Sequence, residues 1–66
     1  VQTGAYHNKD NADRLLNSLL IDGFPAFIIY EDGYYKVQVG AFAELSNAIK
    51  MERRLRRFHY STYIVV

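Results

Sequence analysis

Apolar and polar residues alternate over Val1–Gly4, adopt helical spacing at Ala12, Leu15, Leu16, Leu19 and Leu20, and give way to a β-branched and aromatic run over Ala26–Tyr30. The first pattern has the period of a half-buried strand, and the second draws a stripe along one side of a helix whose wet side carries Asp13, Arg14, Asn17 and Ser18. Asn8 is placed to cap that helix, Gly23 to close it in a left-handed conformation, and Pro25 to prevent its continuation. Glu31-Asp32-Gly33 is a turn signal, so Ala26–Tyr30 and a strand from about Tyr34 to Val39 form an antiparallel hairpin. A second helix is predicted from about Glu44 to Arg57, with Ala48, Met51, Leu55 and Phe58 on one face and Lys50, Arg53, Arg54 and Arg57 on the other. His59 stands where the first helix has Gly23, and a last strand is predicted over Ser61–Val66.

These elements are two copies of one plan. Val1-Gln2-Thr3-Gly4-Ala5-Tyr6 returns as Val37-Gln38-Val39-Gly40-Ala41-Phe42, Asn11-Ala12 as Asn47-Ala48, Leu19 as Leu55, and Phe27-Ile28-Ile29 as Tyr63-Ile64-Val65. Repeats over 1–30 and 37–66 therefore make one domain of residues 1–66. Two βαβ units with right-handed crossovers predict an α+β, ferredoxin-like βαββαβ fold, with one four-stranded antiparallel sheet and both helices on one face.

Strand parity separates the two faces of that sheet. With Val1, Thr3, Ala26, Ile28, Val37 and Val39 towards the helices, the outward set is Gln2, Phe27, Ile29, Tyr34, Lys36, Gln38, Tyr63 and Val65. A merely solvated face would carry Lys, Glu, Thr and Ser, whereas this one carries three aromatic and two aliphatic side chains. An apolar and aromatic patch on an uncovered sheet marks a binding surface, for a ligand or for another protein.

Composition narrows the chemistry. A chain of 66 residues with no cysteine must be held by packing, and His7 and His59 alone cannot close a zinc site. The carboxylates are scattered over helices and turns, with no nucleophile–base arrangement and no phosphate-binding loop, so neither catalysis nor a cofactor is expected. No run approaches the roughly 18 apolar residues of a membrane span, and Val1-Gln2-Thr3 lacks the features of a signal peptide. The basic run Lys50, Arg53, Arg54, Arg56, Arg57 reads first as a solvated helix face, with contact to an anionic polymer or a partner domain as the other reading.

Val-Gln-x-Gly-Ala-aromatic, the Asn-Ala and leucine helix, Gly-Phe, and Asp-Gly-Tyr-Tyr-Lys-Val-Gln-Val-Gly-Ala-Phe together resemble the SPOR domain of bacterial division and sporulation proteins. The likeness is greatest to the wall-binding repeats of sporulation N-acetylmuramoyl-L-alanine amidases. It implies a non-catalytic module that binds peptidoglycan glycan strands on its sheet face, preferring strands stripped of stem peptides, and that targets an attached hydrolase to the wall. It also implies a periplasmic or extracellular location, with the export signal on another part of the chain. Carried over by position, it points to Gln2, Tyr34 and Lys36, and to Ala5, where relatives often have serine.

The residues suit that chemistry. Pyranose rings present C–H faces that stack on aromatic rings, and their hydroxyl and N-acetyl groups need partners such as Gln2 and Gln38 that both donate and accept. Lys36 could pair with the lactyl carboxylate freed when a stem peptide is cut. The candidate site is thus Gln2, Ala5, Phe27, Ile29, Tyr34, Lys36, Gln38 and Tyr63. An RNA-recognition module would share the fold plan and the stacking aromatics, but Tyr34–Gly40 lacks its strand motif, and a net charge of +1 leaves a weak phosphate footprint. A protein-interaction module using the bare sheet is the third reading.

Overall fold

The computed structural model describes residues 1–64. Its elements run β1 (Gln2–Tyr6), α1 (Lys9–Ile21), β2 (Ala26–Glu31), β3 (Tyr34–Val39) and α2 (Leu45–Arg57). The strands form one antiparallel sheet in the order β1-β3-β2.

Local chemistry accounts for the boundaries. Asn8 caps α1 as its side chain accepts from the Asp10 amide at 2.8 Å, whereas Glu44 caps α2 with no side-chain hydrogen bond. Asp32 (φ 55°) and Gly33 (φ 80°) are the two left-handed residues of a two-residue hairpin loop, with Glu31 opposite Tyr34. That conformation matches the twist of the flanking strands and explains the Asp-Gly pair. His59 takes φ 66° just after α2, the costly conformation that glycine would adopt freely.

The expected four-stranded βαββαβ sheet is not what the structure contains. Three strands pair as a sheet, and the segment after α2 touches β1 only through one antiparallel bridge, Gln2 N–H to Tyr63 O at 2.9 Å and Tyr63 N–H to Gln2 O at 3.0 Å. The arrangement among the described residues is therefore βαββα. The chain leaves the helix through a turn at Phe58–His59 and through Tyr60, whose amide still bonds back to Leu55 O at 3.2 Å, and of the predicted strand's described residues, Ser61–Ile64, Tyr63 alone pairs with β1. Val65 and Val66, assigned to that strand from the sequence, lie outside the described residues.

Both helices supply side chains to a core on one side of the sheet. Ala12 and Leu19 of α1 and Ala48, Met51 and Leu55 of α2 are buried with Val1, Phe24, Val37 and Val39. Phe58, expected on the buried stripe, is half exposed and meets Phe24 edge-on at 5.2 Å between ring centroids. The opposite sheet face carries neither helix.

Candidate functional site

One irregularity decides which β1 side chains reach the open face. Gln2 lies opposite Gln38, but Gly4 lies opposite Val37 and Ala5 opposite Lys36, so Thr3 is an extra residue in a β-bulge. Thr3 stays buried, its hydroxyl donating to Val37 O at 3.2 Å, and strict alternation is broken there. Without the bulge Ala5 would share the face of Val1 and Thr3; with it, Ala5 emerges beside Lys36. Gly4 packs closely on the covered side, where a Cβ would come within 2.9 Å of the Tyr6 ring and 3.0 Å of Leu15, so that these side chains would have to shift.

Cross-strand pairing then sets the outward side chains in rows. Gln2, Gln38 and Phe27 form one, Ala5, Lys36 and Ile29 the next, and Tyr34 and Glu31 the last, beside the hairpin turn. The bridge brings Tyr63 against Gln2 at the β1 edge, where the Gln2 Nε2 amide donates to the Tyr63 hydroxyl.

Five of the eight candidate residues, Gln2, Ala5, Tyr34, Lys36 and Tyr63, line a shallow hollow of about 450 Å³ with Asp32. The other three, Phe27, Ile29 and Gln38, line a second depression of about 380 Å³ bordered by Phe42 and Ile64. The eight candidate residues are thus divided between two hollows, the second of which also takes in Val1 and Ala48 from the edge of the core. Gln2 differs from expectation: it is 5% exposed, because the residues around Tyr63 cover it.

Three residues that the sequence reading left out also belong to this surface. Asp32 lines the first hollow. His7 packs against Tyr34 with ring centroids 4.1 Å apart and the planes tilted by 32°, and its Nδ1–H donates to Gly33 O at 3.2 Å, so Tyr34 is braced by a ring that is itself tethered to the turn. Glu31 accepts from Lys36 Nζ at 2.8 Å. That bond raises the Lys36 pKa above its ordinary 10.5 and lowers that of Glu31 below 4.5, so both remain charged near neutral pH. No spacing rule in the sequence announces these partners, since His7 meets Tyr34 only through the β1–β3 register and the hairpin turn.

The hollow is therefore two tyrosine rings, an amide, a carboxylate and a lysine paired with Glu31. Aromatic rings can stack on apolar ring faces, and the amide and hydroxyl can hydrogen-bond polar edges. Among the described residues no three histidine or acidic side chains gather as a metal site, and no helix is long and apolar enough to cross a membrane.

The family model of the SPOR domain matches residues 1–66. The chain belongs to the SPOR-domain family. Among solved structures it is similar to the peptidoglycan binding domain of the Bacillus subtilis (B. subtilis) cell wall lytic enzyme CwlC, with 34% sequence identity and a TM-score of 0.86. That likeness covers 97% of this chain and 81% of the other. No match was found among curated proteins. The sequence-level resemblance to SPOR domains is confirmed over the full length of the family match, while the number of strands in the sheet is the point corrected above.

Proposed function

We propose that this SPOR domain is a peptidoglycan-binding module that holds its parent protein on the bacterial cell wall, outside the cytoplasm, through the open face of the sheet. The observation that carries the reading is the hollow in which Tyr34, Tyr63, Gln2 and Lys36 converge, in a chain similar to a solved peptidoglycan binding domain. Stacking of a sugar on Tyr34, with Tyr63 along the edge, supplies affinity without recognising charge. The Gln38 amide and the Tyr63 hydroxyl supply hydrogen bonds to N-acetyl and hydroxyl groups.

Lys36 gives the finer preference. A muramic acid residue stripped of its stem peptide exposes a carboxylate, and the ammonium of Lys36 can exchange Glu31 for it, because the Glu31 carboxylate is open to solvent, which weakens its hold on the lysine. Denuded strands should then bind better than intact ones. The catalytic partner that makes such strands, an amidase or related hydrolase, would be carried elsewhere in the parent protein.

Sedimentation with purified sacculi tests this. The chain should pellet with sacculi, and more strongly after amidase treatment; Tyr34→Ala should lose about 1–3 kcal/mol of binding, by analogy with aromatic stacking on bases, and stay folded. Equal recovery in the supernatant with and without sacculi, or undiminished binding by folded Tyr34→Ala, would refute the sheet-face site.

A further inference from the structure

Charge is distributed very unevenly over this chain. Five cations against the single Glu52 give α2 a formal charge of +4, while three cations and six carboxylates give the rest −3, so the net +1 conceals a strongly basic helix. Two of the five cations are engaged within the fold: Arg54 lies over the Phe24 ring at 5.4 Å, and Arg56 pairs with Glu52 at 3.2 Å and donates to the Thr62 hydroxyl at 3.4 Å. Lys50, Arg53 and Arg57 are exposed and make no ion pair among the described residues.

Those three follow one another at intervals of three and four residues. They therefore form a stripe with about one cation per helical turn, opposite Ala48, Met51 and Leu55, which face the core. Ser46 lies on the same stripe, and the exposed Leu45 and the partly buried Ile49 flank it rather than sit at its centre, where an interface anchor would stand. What fits is a linear polyanion with one charge every few ångströms. Two of the three cations are arginines, whose planar donor forks match phosphate oxygens.

We propose that the outer face of α2 binds a wall-attached phosphodiester polymer, so that the chain contacts glycan with its sheet and anionic polymer with its helix. That the polymer is a wall component rests on the wall-binding reading above; the recognition of phosphodiesters does not. The two surfaces lie on opposite sides of the core, and one can be occupied without blocking the other.

The test uses the 66-residue chain with a soluble poly(glycerol phosphate) in the absence of any glycan, and in parallel with sacculi stripped of phosphodiester polymers. The chain should bind the poly(glycerol phosphate), and three phosphate contacts should weaken that binding on the order of tenfold between about 50 and 200 mM salt. The combined Lys50→Gln, Arg53→Gln and Arg57→Gln variant, which leaves the core and helix propensity nearly unchanged, should lose polymer binding and retain sedimentation with stripped sacculi. Absence of polymer binding by the unmodified chain at low salt overturns the proposal without reference to any variant. So does full binding by the folded triple variant, equal binding to polyglutamate of matched length, or tighter binding to a single-stranded oligonucleotide. Failure of the glycan reading would instead appear only in the stripped-sacculus arm.

Discussion

Gln2 illustrates how one residue can serve both the fold and the site. It sits on the face predicted from strand parity, yet it is buried, its backbone bridges to Tyr63 and its side chain donates to the Tyr63 hydroxyl. Gln2→Ala should therefore reduce thermal stability by about 1 kcal/mol and also weaken glycan binding by loosening Tyr63, whereas a purely solvated glutamine would change neither. Thermal melts beside sacculus binding distinguish these outcomes. Lys36 and Glu31 behave differently, the first half-buried, the second exposed, and the two paired with each other. Glu31→Gln should release the lysine and tighten binding to denuded strands a few-fold, as read by sedimentation. The pair's small contribution to folding is present between the two titrations: it is lost as pH falls through the lowered Glu31 pKa, under 4.5, and as pH rises through the raised Lys36 pKa, over 10.5. The positions of Tyr34, Lys36 and Gln38 could be read from the sequence because strand alternation is unbroken there. Ala5 could not be placed that way, since the bulge at Thr3 reverses the parity after it; its inclusion came from the family resemblance, and the only local sign was a glycine inside a strand pattern.

At the scale of elements, the helices and the hairpin were legible because their signals are local: the Asn8 cap, the Asp-Gly loop and the apolar stripes each act within a few residues. The fourth strand was not, because the repeat implied symmetry while pairing is settled by long-range geometry. The first copy extends β1 through Gly4, Ala5 and Tyr6, whereas in the second β3 ends at Val39 and Gly40 turns away at φ 68°. The segment after α2 is fixed instead by side chains. Tyr60 donates to Asp22 Oδ2 at 2.6 Å and accepts from Ser18 at 2.7 Å, tying the chain beyond α2 to the end of α1. Burial and the bond to Asp22 raise the Tyr60 pKa above 10.0. Tyr60→Phe keeps the ring against Phe24 and removes both hydrogen bonds, so it should cost about 1 kcal/mol in denaturant unfolding. The same change should make amide exchange at Tyr63 faster if this tether holds the β1 bridge in place. Unchanged exchange would mean that packing alone positions Tyr63.

The whole molecule has little stability to spare. At about 0.05–0.15 kcal/mol per residue, a domain of this size is worth roughly 3–10 kcal/mol, and the core holding both helices to the sheet contains nine buried apolar residues among those described. Leu55 is fully buried among them, so Leu55→Ala removes packing worth about 2–5 kcal/mol, a large fraction of that total. The expected result is a drop in melting temperature of roughly 10 °C or more, or loss of the cooperative transition, and with it loss of glycan binding, because the rows on the open face exist only while β1, β3 and β2 are in register. Arg53→Ala, on the exposed stripe of the same helix, should leave the melt nearly unchanged. The comparison that matters is with Tyr34→Ala. Both variants should pellet less with sacculi, but Tyr34→Ala should melt like the parent chain and Leu55→Ala should not, which separates the binding surface from the core that supports it. A Leu55→Ala variant that melts normally would mean that α2 contributes less to the fold than its buried residues indicate.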